Sequence, residues 1–149
     1  MANTIPYYCF NVGLIILSAV FSFYFIFLPS LYDDNQRVQN LSRLGSLCGL
    51  LASVCFAGVA YTPADLFFTA HQFFANWLYR LMNFTILFYA VSFLIMTKKH
   101  FILSIIFGFV GVIVSSHIFL SDFGLAEVFS EPHTVKVLSQ KAATIALVI

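Results

Sequence analysis

Charge is scarce in this chain. Seven Lys and Arg with six Asp and Glu make up 9% of its 149 residues, against about 25% in soluble domains. So little charge cannot coat a globule, and the uncharged surface must face something other than water. The near balance of sign, +1 overall, leaves no basic footprint and argues against nucleic acid as a partner. Cysteine is sparse as well. Cys9, Cys48 and Cys55 form no CxxC and have no His at metal spacing, so they read as small apolar packing residues. There is no glycine-rich phosphate loop, no HExxH and no nucleophile–base pair. No catalytic residue, metal site or cofactor is therefore expected, and the balance leans away from an enzyme.

What the chain has is apolar length. Its hydrophobic content is 61%, with 19 Phe, in runs close to the ~20 residues that cross a bilayer. The expected fold is all-α: one integral membrane domain over residues 1–149, a bundle of four transmembrane helices plus a partial or interfacial C-terminal helix. The helices fall at about 8–28, 44–61, 63–97 and 101–120, with a tail helix at about 134–149. The first run lacks a positively charged n-region and a small-residue cleavage site and exceeds a signal peptide's apolar core, so it reads as a retained helix. Thr62-Pro63-Ala64-Asp65 reads as a helix start, with Thr62 as N-cap, Pro63 at the first helical position and Asp65 in the first turn. In the tail only Ala142 to Ile149 is free of charge, about 12 Å of helix against a core of about 30 Å. Either it is a partly inserted or interfacial helix, or the sequence is a piece of a longer protein, the reading favoured slightly. Lys and Arg in short loops (Arg37, Arg43, Lys98, Lys99) place Lys98 and Lys99 in the cytoplasm and the N-terminus outside.

Small residues recur at helical spacing. Gly45, Gly49, Ser53 and Ala57 follow at steps of four, and Ser104, Gly108, Gly111 and Ser115 at 4, 3 and 4. Such faces let membrane helices approach closely, so both sets are expected at helix–helix contacts. His117 projects to the opposite side from Gly108, toward another helix or a partner subunit.

The third run carries a polar stripe. Asp65, Thr69, Gln72, Asn76, Arg80 and Asn83 are spaced 4, 3, 4, 4 and 3 and share one helix face. Folding the third and fourth helices as a hairpin at about Lys99 sets Arg80 level with His117 or Ile118 and Asp122 level with Asn76. Arg80 and Asp122 are then within reach of an ion pair, the usual fate of a charge inside a bilayer. Leu81 to Thr97 alone, about 26 Å of apolar helix, nearly spans the core. The stripe therefore either sits at the membrane rim, with Trp77 and Tyr79 in an aromatic belt and Arg80 reaching the head groups, or lines an intramembrane cavity. His71 flanks the stripe. With His117 about 15 Å away along the axis by the helical rise, a bis-His haem is not expected.

One stretch, LSRLGSLCGLLASVCFAGVAYTPADLFFTAHQFFANWLYRL, joins a glycine-rich helix to a Pro-x-Asp turn with His six residues after the Asp. Ser139-Gln140-Lys141 then opens a last apolar segment. Over about a third of the chain this resembles the polytopic membrane family that joins the DRAM and Sfk proteins to uncharacterised prokaryotic relatives. The resemblance implies Pro63, Asp65, His71 and Gln140-Lys141 as family positions, six helices, a cytoplasmic N-terminus and lipid-related regulation or scaffolding without established catalysis.

Three functions follow. The first is a non-enzymatic multi-pass membrane protein, a lipid-organising or regulatory factor or a small subunit of a complex, with membrane lipids and a protein partner or second copy as its contacts. The second is a small carrier or channel lined by the stripe. The third is a membrane enzyme acting on a lipid head group, with Asp65 and His71 as acid–base groups and Arg80 holding phosphate.

Overall fold

In hydrocarbon every backbone N–H and C=O has to be bonded inside the protein, which leaves helices or closed barrels. The computed structural model, which describes residues 4–31, 35–96 and 101–148, uses helices. Among these residues there are five α-helices and no strand: α1 Thr4–Phe27, α2 Gln36–Tyr61, α3 Phe68–Ile95, α4 Phe101–Asp122 and α5 Pro132–Val148. Single 3-10 turns follow α1 at Leu28–Leu31 and precede α5 at Leu125–Val128. Four segments are long and apolar enough to cross a membrane, Asn11–Ser30, Gln36–Tyr61, Phe68–Ile95 and Phe101–Asp122. The molecule is an all-α bundle compatible with a multi-pass membrane protein. The basic turn of Lys98, Lys99 and His100 lies outside the described residues.

Two helix starts differ from the sequence expectation. α2 begins at Gln36, not Leu44, because Asn35 caps it: its side-chain oxygen accepts from the Arg37 N–H at 2.9 Å, and its extended backbone ends the preceding chain. The polar first turns still have an inner side, where Val38 and Ser42 are buried. α3 begins at Phe68, not Pro63. Leu66 and Phe67 both donate backbone N–H bonds to the Pro63 carbonyl, closing one isolated turn. Thr62 belongs to the previous helix. It is the C-cap of α2, and both its backbone N–H and its hydroxyl bond the Gly58 carbonyl. It does not cap α3.

Packing follows chain order. α1 packs on α2, α2 on α3, α3 on α4 and α4 on α5, with α2–α3 the largest interface. The small residues of α2 serve two neighbours. A Cβ on Gly45 would sit 3.0 Å from Tyr89 of α3, and one on Gly49 would sit 2.6 Å from the ring of Phe25 of α1. Ser53 is buried, and its carbonyl accepts the Ser18 hydroxyl at 2.6 Å; Ala57 is half-buried. On α4, Ser104 donates to the Ala90 carbonyl at 2.9 Å and Gly111 abuts Ile86. Gly108 departs from expectation: nothing lies within 4 Å of where its Cβ would be, so it is no contact residue.

Hydroxyls in the spans behave as apolar surroundings require. Ser22, Ser53, Thr85 and Ser92 each return a bond to the carbonyl four residues earlier. Tyr89 bridges helices instead. Its hydroxyl donates to the Ser42 carbonyl at 3.1 Å, so the proton in its 2.6 Å contact with Ser46 comes from the serine. Tyr89→Phe leaves both groups on α2 short of a partner. The expected loss is about 1 kcal/mol, the scale of interhelical hydrogen bonds in bilayers, read as a lower thermal midpoint in detergent.

Candidate functional site

The polar stripe does not form one surface. Asp65 lies in the turn before α3 and is exposed, so it is not on the helix. Thr69, Gln72 and Asn76 are exposed on α3, and their side chains make no hydrogen bond within the chain among the described residues. Arg80 and Asn83 turn toward α4. Arg80 Nη2 is 2.6 Å from Asp122 Oδ2, and Nε is 3.3 Å from the same oxygen. Both side chains are 31% exposed. One turn deeper, Asn83 and Ser115 exchange bonds: the amide donates to the hydroxyl at 3.0 Å, and the hydroxyl donates back to the amide oxygen at 3.3 Å.

The ion pair meets the outside through an aromatic. The Arg80 guanidinium carbon lies 5.6 Å from the centre of the Trp77 ring, within cation–π range, and Trp77 is exposed. Tyr79 does not join it in a belt, contrary to the rim arrangement expected from sequence. Tyr79 is buried and faces α5, with its hydroxyl 2.8 Å from the Thr144 hydroxyl. His117 is buried beside it, ring edge to Tyr79 at 4.7 Å, and its Nδ1 lies 3.0 Å from the Ser139 hydroxyl. The expectation of a partly inserted or interfacial tail helix does not include these contacts of Ser139 and Thr144 with α4 and α3. The signal is helical spacing: Ser139 and Ala143 stand one turn apart with Thr144 next to them, and Ala143 is fully buried.

The remaining stripe neighbours are structurally occupied. His71 Nδ1 lies 2.6 Å from the Thr62 carbonyl. A carbonyl only accepts, so Nδ1 carries the proton, and the ring ties α3 to the end of α2. His71 and His117 point to different neighbours, α2 and α5. Among the described residues no three His, Cys, Asp or Glu converge. The space enclosed by Asn76, Tyr79, Arg80, His117, Ile118, Ser121 and Asp122 is ≈ 10 Å³, far below the roughly 300 Å³ of a small-molecule site.

The arrangement presents a charge-neutral but strongly dipolar end of the bundle, flanked by tryptophan and by outward amides. No family model matches the chain, and no curated protein and no solved structure matches it either.

Proposed function

We propose that this chain is a non-enzymatic membrane protein that organises phospholipid around the α3–α4 end of its bundle. One observation carries the reading: the Arg80–Asp122 pair, one-third exposed, stands beside Trp77 at the inner end of a face whose Thr69, Gln72 and Asn76 side chains have no hydrogen-bond partner among the described residues. Unpaired amides are costly in hydrocarbon but are satisfied at head-group depth, where tryptophan also concentrates. A phosphate can add to the free guanidinium edge, while Asp122 keeps the site neutral when empty.

The outward direction of Thr69, Gln72 and Asn76 speaks against the carrier reading, which needs them on an internal path. The engagement of Arg80 by Asp122 and the ≈ 10 Å³ space speak against the enzyme reading. The resemblance to the DRAM and Sfk family would imply the same class of role. The same amides could also bond a partner helix, and that gives the small-subunit reading its footing.

Purification in a mild detergent, followed by mass spectrometry of the retained lipid, tests the proposal. The double variant Arg80→Gln/Asp122→Asn removes both charges and leaves none unpaired. It is expected to retain about tenfold less phospholipid, ~1.4 kcal/mol of binding. Unchanged retention rejects lipid organisation at this site, and a stoichiometric protein copurifying in its place establishes the subunit reading.

A further inference from the structure

We infer that the outward face at the start of α2, formed by Arg37, Asn40 and Arg43, binds the head group of an anionic phospholipid. The site goes beyond the reading above. It lies at the end of the bundle away from Asp122, and it selects lipid by charge.

Packing by chain order decides which charges share that end. Gly45 abuts Tyr89, and Ser104 donates to the Ala90 carbonyl, so the start of α2, the end of α3 and the start of α4 lie together. In sequence, the connections at this end and the first turns of α2 carry Arg37, Arg43, Lys98 and Lys99 against Asp33 and Asp34. The connections at the other end, residues 62–67 and 123–131, carry Asp65, Glu127 and Glu131 and no Lys or Arg. The cationic end is therefore drawn to a membrane surface of net negative charge, and each Lys or Arg close to that surface adds to the attraction.

Within that end the donors form a ridge. Arg37, Asn40 and Arg43 follow at steps of three, and residues three apart on a helix are side-chain neighbours. All three are exposed. Gln36 Nε2 donates to Asn40 Oδ1 at 3.0 Å, which leaves the Asn40 amide nitrogen as a donor midway between the two arginines in the ridge. Among the described residues the ion pairs are Arg80–Asp122 and Lys136–Glu127, so neither guanidinium of the ridge meets a carboxylate there. Phosphate oxygens accept charge-assisted bonds from such groups, and an arginine can give two in parallel.

The same helix face continues as hydrocarbon. Leu44, Leu47, Leu51 and Val54 are all exposed. At about 100° per residue they fall in the sector bounded by Arg37 and Arg43. Cations that lead into an open apolar stripe match an amphiphile with an anionic head and acyl tails. An inorganic anion would leave the stripe uncovered. A second copy of this chain meeting the same face would set guanidinium against guanidinium. Phosphatidylcholine carries its own cation beside the phosphate and gains less from the two arginines than a lipid of net negative charge.

The test places the whole protein in nanodiscs of equal phosphatidylglycerol and phosphatidylcholine, with a diazirine in the upper tail of one lipid at a time, and maps the cross-links. Phosphatidylglycerol is expected to label Leu44 and Leu47 in preference to phosphatidylcholine, a bias that the exposed Phe23 and Phe27 of α1 should lack. An equal bias at all four positions overturns the site, as does an absence of labelling at Leu44 and Leu47 by either lipid, and this comparison needs no variant. Arg37→Gln/Arg43→Gln is expected to lower the bias about thirtyfold, roughly fivefold for each arginine, with the thermal midpoint retained because both side chains are exposed. An undiminished bias overturns the site. Lys98→Gln/Lys99→Gln removes as much charge without touching the ridge and should leave most of the bias. A fall as large as that of the arginine variant would reduce the effect to general surface charge and overturn the site. Excess inorganic phosphate, with ionic strength matched by chloride, should also leave the bias in place, and its loss would overturn the lipid assignment in favour of a free anion. The Arg80→Gln/Asp122→Asn protein is mapped alongside. It should keep the full bias at Leu44 and Leu47, so the two head-group proposals fail separately.

Discussion

Replacing Gly49 by Leu is expected to destabilise the bundle by about 3 kcal/mol, the upper range for forcing volume into a packed interior. The first added carbon alone would lie 2.6 Å from Cγ, Cδ1 and Cδ2 of Phe25. Phe25 cannot turn aside cheaply, because it is 5% exposed and belongs to the cluster that includes Leu28, Val38, Ala52 and Cys55. α1 must then lift from α2, and the Ser18 to Ser53 bond lengthens with it. Gly108→Leu is the matched control. It has the same chemistry in another span, but nothing lies within 4 Å of its Cβ position, so its effect should stay within about 0.5 kcal/mol. Thermal midpoints of both variants in one detergent decide the matter. Equal shifts would mean that α1 does not sit where it is described.

Arg80→Ala has the second-largest expected effect, a loss of about 2 kcal/mol. That lies between the ~0–1 kcal/mol of exposed pairs and the ~3–5 kcal/mol of breaking a buried one, as the 31% exposure of both side chains requires. Most of the loss comes from the stranded Asp122 carboxylate. Asp122→Asn in the Arg80→Ala background should therefore recover about 1 kcal/mol. Asp122→Asn alone should cost less than Arg80→Ala, because the guanidinium keeps its place over Trp77 and has a flexible stem to reach water. Strict additivity in unfolding measurements of the two single variants and the double would show that the 2.6 Å contact contributes nothing.

The four long helices could be read from hydropathy because lipid imposes a length and forbids charge. Their ends could not, because end signals are local and ambiguous. Thr62-Pro63-Ala64-Asp65 has the composition of a helix start, yet its first residue closes α2 and its proline opens a lone turn. Asn35 caps α2, but it stands in a polar stretch whose other residues offer the same kind of side-chain oxygen. Spacing put Arg80 and Asp122 at reachable depth, since antiparallel neighbours across a short turn share a common ruler. It gave no rotation about the helix axis. So Gly108 shares a spacing series with Gly111 although nothing lies against it, and Tyr79, expected beside Trp77 in an aromatic belt on the rim reading, faces α5. α5 was hardest to place, because its polar residues describe a surface helix unless the partners on α3 and α4, Tyr79 and His117, are known beforehand.

Each helix finds its main support in the one synthesised just before or after it. Hydroxyl, amide or imidazole contacts join α1 to α2, α2 to α3, α3 to α4 and α4 to α5. A nascent chain leaving the ribosome can therefore close each hairpin as soon as its second arm has formed, without holding early segments apart for late ones. A lesion in one junction should then stall assembly from that point onward while earlier hairpins stay native.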